Sequence, residues 1–153
     1  MTDRHIPLEY ANSIMHDLQK AFWDERGKGA RFRMTMVGRE YFGDKGLSQA
    51  KGSSAPEIVD AIGKILRQEG IVAGVAQEQD DRLIRIRVQG CLHYEIEQRL
   101  VAKGVEPFTC VPANLVVMAI EEAMDRPVEL AEIKVDSGGC ELLLVLFDRR
   151  QAP

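Results

Sequence analysis

Three thiols and one imidazole are the side chains of this sequence with the widest chemical range. Cys91, Cys110 and Cys140 are separated by 19 and 30 residues, and His93 follows Cys91 by two. Packing explains each cysteine singly, because a free thiol behaves as a small buried hydrophobe. Together they are a candidate metal set, since a mixed thiolate–imidazole shell suits the tetrahedral preference of zinc. The spacing is too open for a compact zinc knuckle, so such a site requires the chain to bring distant segments together. A third reading makes Cys110 a nucleophile with His93 as its base, because Cys110 precedes a helix whose free N–H groups favour a thiolate. Glu132, between the apolar Ala131 and Ile133, is a further candidate ligand or acid/base. Glu95, Glu97, Glu121 and Glu122 read as solvated helix faces, and His5 and His16 as solvent-exposed. "GREYFG" and "GKG" lack the setting of a phosphate loop, and no Gly-x-Ser-x-Gly elbow is present.

The elements that must position these residues follow from periodicity. Leu8, Ala11, Ile14, Met15, Leu18 and Phe22 fall at helical spacing, predicting an amphipathic helix over 7–25 that Gly27 and Gly29 stop. The stretch "ARFRMTMVGREYFGDKG" predicts a short helix with close packing at its glycines, and 48–56 a mobile polar connection. A second helix starts near Pro56, carries Ile58, Val59, Ile62, Ile65 and Leu66 on one stripe, and ends at Gly70. "IVAGVAQEQ" and "RLIRIRVQG" form a hairpin, with Ile84, Ile86 and Val88 alternating against Arg85 and Arg87.

Ile96, Leu100 and Val101 predict a helix over 92–103, and 113–124 a buried one. "RPVELAEIKV" and "CELLLVLFD" flank "DSGG" as a second hairpin. Leu142, Leu144 and Leu146 point one way and Leu143, Val145 and Phe147 the other, so both faces of the last strand are expected to be covered. The fold class is α+β in one domain, residues 1–153. N-terminal helices (1–56) precede a hairpin–helix–hairpin core (57–150) whose two hairpins make a four-stranded antiparallel sheet, with a long buried helix between them. If the hairpins pair, Cys91, Cys110 and Cys140 gather at one rim of that sheet.

Composition bounds the function. Apolar residues make up 45% and aromatics 6%, and 20 basic against 24 acidic side chains give a net charge of −4. That balance argues against nucleic acid, which needs a basic surface. No apolar run approaches membrane-spanning length, and "MTDRHIPLEY" lacks the layout of a signal peptide, so a cytoplasmic location is expected. Three cysteines in a reducing compartment are then not a disulfide framework.

From about residue 57 the chain resembles the 4-vinyl reductase domain superfamily, which includes hydrocarbon-binding-type proteins, sensory domains of aromatic-responsive regulators and relatives of the transport-complex subunit fold. The likeness is carried by "VQGCLHYE", "EPFTCVPANLVVMAIEEAM", "VELAEIKV" and "SGGCELLLV". It implies an α+β domain, often dimeric, enclosing an apolar pocket, and gives Cys110, Glu132 and Cys140 the places of family positions. Val135 stands where metal-binding members carry another cysteine, so Cys91 or His93 would have to complete a zinc set. The leading expectation is a binding or sensory module, a homodimer, for a small apolar, aromatic or tetrapyrrole-like molecule. Met118, Ile120, Leu144 and Phe147 are the expected pocket lining. The alternatives are a hydrolase of a small heterocycle using Cys110 with His93, and a non-catalytic assembly subunit.

Overall fold

Helix α1, Leu8–Arg26, runs into a 3-10 turn, Gly27–Phe32, and the short α2, Arg39–Asp44, precedes α3, Ala55–Gln68. The hairpin β1 (Gly74–Asp80) and β2 (Leu83–Gln89) is followed by α4 (Tyr94–Ala102) and α5 (Val111–Met124). The chain closes on the hairpin β3 (Val128–Asp136) and β4 (Gly139–Leu146). The computed structural model describes residues 5–32, 36–47 and 54–148, and 48–53 of the polar connection lie outside them. Among the described residues no helix is long and apolar enough to cross a membrane.

The two hairpins pair through their second strands, giving one antiparallel sheet in the order β1-β2-β4-β3. Ile84 lies opposite Leu144, Ile86 opposite Leu142 and Val88 opposite Cys140. One sheet face therefore presents an unbroken apolar row, and α3 and α5 cover it. Ser54 caps α3, its Oγ accepting from Glu57 N–H at 3.4 Å. The α3 stripe of Ile58, Val59, Ile62 and Leu66 is fully buried. Gly63 lets α3 approach the sheet, since a Cβ there would sit 3.0 Å from that of Val75.

The last strand is covered on one face only. Leu142, Leu144 and Leu146 are buried, whereas Leu143 and Val145 are half-exposed and Phe147 is exposed. Their face carries a charged lattice instead, with Arg85–Glu141 at 3.5 Å and Arg87–Asp136 at 2.5 Å.

A smaller core lies beside the first, where Ile96, Leu100, Val105 and Phe108 meet Ala30, Met15, Phe22 and Trp23. Phe22 and Trp23 stack on Phe108, with centroids 6.0 and 6.1 Å away. These rings fix how α1 is turned, and its inward face is rotated from the periodic expectation. Asn12, His16 and Gln19 share the inward side with Met15 and Phe22 and are buried, so His16 is not a surface residue. Leu8, Tyr10 and Ile14 point outward and are 45–63% exposed, and Leu18 is exposed at the edge of the inward side.

The reversal between β3 and β4 depends on Gly139, whose φ of +144° disfavours any side chain, and a Cβ there would collide with the Val88 carbonyl oxygen. Because that oxygen belongs to rigid sheet backbone, Gly139→Ala is expected to destabilise the fold by about 2 kcal/mol. Thermal denaturation followed by circular dichroism should show the midpoint falling by roughly 4–8 °C.

Candidate functional site

A cavity of about 310 Å³ lies where the two cores meet. Met15, Leu18 and Gln19 of α1 form one wall, and His93, Tyr94 and Glu97 at the start of α4 form another. Cys91 closes the connection from β2. Thr109, Cys110, Val111 and Pro112 supply the entry to α5, and Val37, Ile133 and Cys140 complete the lining. The wall is almost wholly apolar, and among the described residues no lysine or arginine is part of it.

Local structure explains these positions. Cys110 is the N-cap of α5 in extended conformation, so its side chain leaves the helix axis toward the cavity. One turn on, the buried Asn114 donates through Nδ2 to the Val37 carbonyl at 3.0 Å and to Thr109 Oγ1 at 3.2 Å. That side chain ties three wall segments together. Tyr94 Oη donates to the Asp136 carbonyl, linking α4 to the end of β3. Asp136 in turn accepts from Arg87 at 2.5 and 2.7 Å and from Gly138 N–H at 2.8 Å, and these bonds hold its carboxyl well below the usual range.

The expected gathering of Cys91, His93, Cys110 and Cys140 is present, since all four line this one cavity. Glu132 does not join them. A bulge at Ala131 separates the Leu130–Leu144 and Glu132–Leu143 pairs, which shifts the alternation by one residue. Ile133 therefore turns into the cavity, and Glu132 turns to solvent beside Lys134 Nζ at 3.6 Å. Among the described residues no three His, Cys, Asp or Glu side chains are placed to hold a metal ion, so the zinc set expected from the sequence does not assemble as it stands.

The expected pocket residues also fall elsewhere. Ile120 and Leu144 are sealed in the sheet core, Phe147 lies on the open face, and Met118 borders a shallow depression with Arg39 and Phe42. Glu97 and Gln19, in contrast, belong to the wall and are each only 7% exposed. Glu97 sits one residue after Ile96 and three before Leu100, at the edge of the inward α4 stripe. That spacing was the available signal for its burial, and Val101, read on the same stripe, is exposed.

Burial governs the charge state of the site. It lifts the Glu97 carboxyl to about 7 and holds the His93 imidazole below its ordinary value, favouring the neutral ring. The Cys140 thiol is pushed up to about 11, first by burial and then by Cys91 and Glu97. Burial also raises Cys91, although its Sγ accepts from His93 N–H at 3.4 Å. Cys110 is raised well above a normal thiol. The surface it leaves uncovered faces the cavity rather than bulk water, and this outweighs the opposing pull of Ala113 N–H at the helix start. The helix terminus expected to activate Cys110 therefore loses to desolvation, and His93 Nδ1 is buried without a partner rather than bonded to the thiol.

No protein-family model matches the chain, and no curated protein matches it. Among solved structures it is similar to the phenol-responsive sensory domain of the transcription activator PoxR, determined with phenol. The TM-score is 0.61 at 14% identity, and the match covers 95% of this chain and 76% of that one. At that identity the likeness shows the fold, an α+β arrangement shared with a small-molecule-binding sensory domain.

Two outcomes follow from the charge states. Because the folded Glu97 carboxyl titrates near 7 and the unfolded one near 4.5, the folded chain holds the extra proton between those values. Stability is then lost as pH rises from about 4.5 to 7, by at most about 3 kcal/mol. Glu97→Gln should accordingly melt above the wild type at pH 8, with the gap closing toward pH 4. At pH 8 iodoacetamide should also alkylate Cys91, Cys110 and Cys140 in the folded chain at least about tenfold more slowly than in urea, because burial depletes the thiolate. Mass spectrometry of the alkylated peptides reads this directly.

Proposed function

We propose that this chain is a binding module for a small, uncharged, largely apolar molecule held in the cavity between α1, α4 and α5. The observation that carries the reading is the form of the cavity itself. It is an apolar chamber of about 310 Å³, at the low end of ligand-site size, with Gln19, His93 and Glu97 among its lining residues. Apolar walls contribute affinity by releasing water from the ligand, and a few convergent polar groups fix its orientation. Among the described residues the wall carries no lysine or arginine, which favours a neutral ligand over an anionic one, whose charge would be desolvated without compensation.

The structural neighbour was solved with phenol, a molecule of this chemical type, and the resemblance to 4-vinyl reductase domains implies the same role. A one-ring aromatic bearing a hydroxyl is thus the first ligand class to try. Isothermal titration with phenol, p-cresol, toluene and benzoate is expected to give saturable one-to-one binding for the neutral compounds, with a negative heat-capacity change, and none for benzoate. Ile133→Trp, which fills the chamber from the sheet side, should weaken phenol at least about tenfold, roughly 1.4 kcal/mol. Binding that is absent, or that the filled variant leaves unchanged, would remove the proposal.

A further inference from the structure

Five buried side-chain atoms lack a hydrogen-bond partner among the described residues: Asn12 Oδ1, His16 Nε2, Gln19 Oε1, His93 Nδ1 and Glu97 Oε2. Their distribution is uneven. Three are on the inward face of α1 and two are at the start of α4, the helix against which α1 packs. Neither the sheet nor α3 or α5 contributes one. The seam between α1 and α4 therefore concentrates the unsatisfied polar groups, whereas the sheet core is apolar and complete.

Helix α1 is also turned partly against its own hydrophobicity, with Tyr10 and Ile14 in solvent, Leu18 exposed at the cavity edge, and Asn12, His16 and Gln19 inside. Apart from Met15 and the Phe22–Trp23 end, little apolar burial ties it down. Gln19 and Glu97, both more than nine-tenths buried, come from opposite sides of the seam to the wall of the same cavity, and His93 joins them there.

We propose that the polar head of the bound molecule bridges Gln19 on α1 to His93 and Glu97 on α4, so that filling the cavity latches the N-terminal helix to the rest of the domain. This rests on the binding role proposed above and adds to it what the ligand must carry and what its binding does. Gln19 Oε1 can only accept a hydrogen bond, so the head must donate. Glu97 in its protonated form, and His93 Nδ1 in the matching tautomer, can donate to a lone pair on the same atom. A hydroxyl oxygen has one proton to give and two lone pairs to receive, which matches three orphaned groups. A hydrocarbon of equal size fills the apolar part and leaves all three groups unsatisfied. The bridge joins two helices that otherwise meet through an incomplete polar seam, so its effect falls first on α1, the element whose exposed apolar stripe is available to report occupancy.

Hydrogen exchange by mass spectrometry on the full chain tests this, comparing the protein alone, with phenol and with toluene at equal fractional occupancy. Phenol is expected to slow exchange of the α1 amides, Leu8–Arg26, at least about tenfold. Toluene should slow them less than about twofold, and α3, Ala55–Gln68, should change little with either probe. Gln19→Leu should still admit phenol but lose the slowing specific to α1. The wild-type comparison of the two probes stands alone if that variant fails to fold. Phenol binding with no selective effect on α1, or toluene protecting α1 equally, overturns the latch and leaves the cavity reading intact. Failure of both probes to bind overturns both.

Discussion

The burial of α5 against one face of the four-stranded sheet is the contact on which the other features depend. Pro112 and Val116 border one small gap with Ile86, Val88 and Leu142 of the strands, and Ala113, Leu115, Ala119 and Ile120 of the same helix are as fully buried. Each large aliphatic side chain contributes about 1.5–3 kcal/mol by leaving water. Because the helix is seated so firmly, its first turn has one position relative to the end of β4. Cys110 and Cys140 are thereby brought to a common wall, and Asn114 extends the order outward to Val37 and Thr109. The cavity is what remains where this rigid layer ends and the smaller core around Phe108 begins.

The electrostatics of the cavity follow from its position between two cores. Groups that would be charged in water are moved toward their neutral forms, whether thiol, imidazole or carboxyl, by the same desolvation. A site built this way is poorly suited to nucleophilic chemistry, for which a thiolate is needed, and well suited to holding a neutral molecule. The ion pairs of the chain sit elsewhere, on the open sheet face and at helix surfaces, where water screens them and each contributes little.

Helix α1 is the exception to the general burial rule in this fold. An unsatisfied buried polar group costs about 1–3 kcal/mol, and α1 brings several of these inward while Leu8, Tyr10 and Ile14 face solvent. Its attachment comes mainly from the stacking of Phe22 and Trp23 on Phe108. The domain thus joins a well-packed sheet layer to a helix held at one end, and the cavity opens between the two. A molecule in that cavity would touch both parts.

The order of elements, the antiparallel hairpins and the single sheet were legible in the sequence, because strand alternation, helical stripes and turn glycines are local signals that tertiary packing here reinforces. The gathering of Cys91, His93, Cys110 and Cys140 was legible too, since it needs only that the two hairpins pair and that the buried helix between them starts at the same rim. Three decisions belonged to the tertiary structure. The bulge at Ala131 exchanged Glu132 for Ile133 at the wall, and a one-residue slip leaves no trace in an alternating pattern. The aromatic cluster around Phe108 set the rotation of α1, burying Asn12, His16 and Gln19 against the hydrophobic pattern. Desolvation shifted the thiols and Glu97 toward their neutral forms, an effect that depends on how many distant segments close over a group, which spacing along one chain does not record.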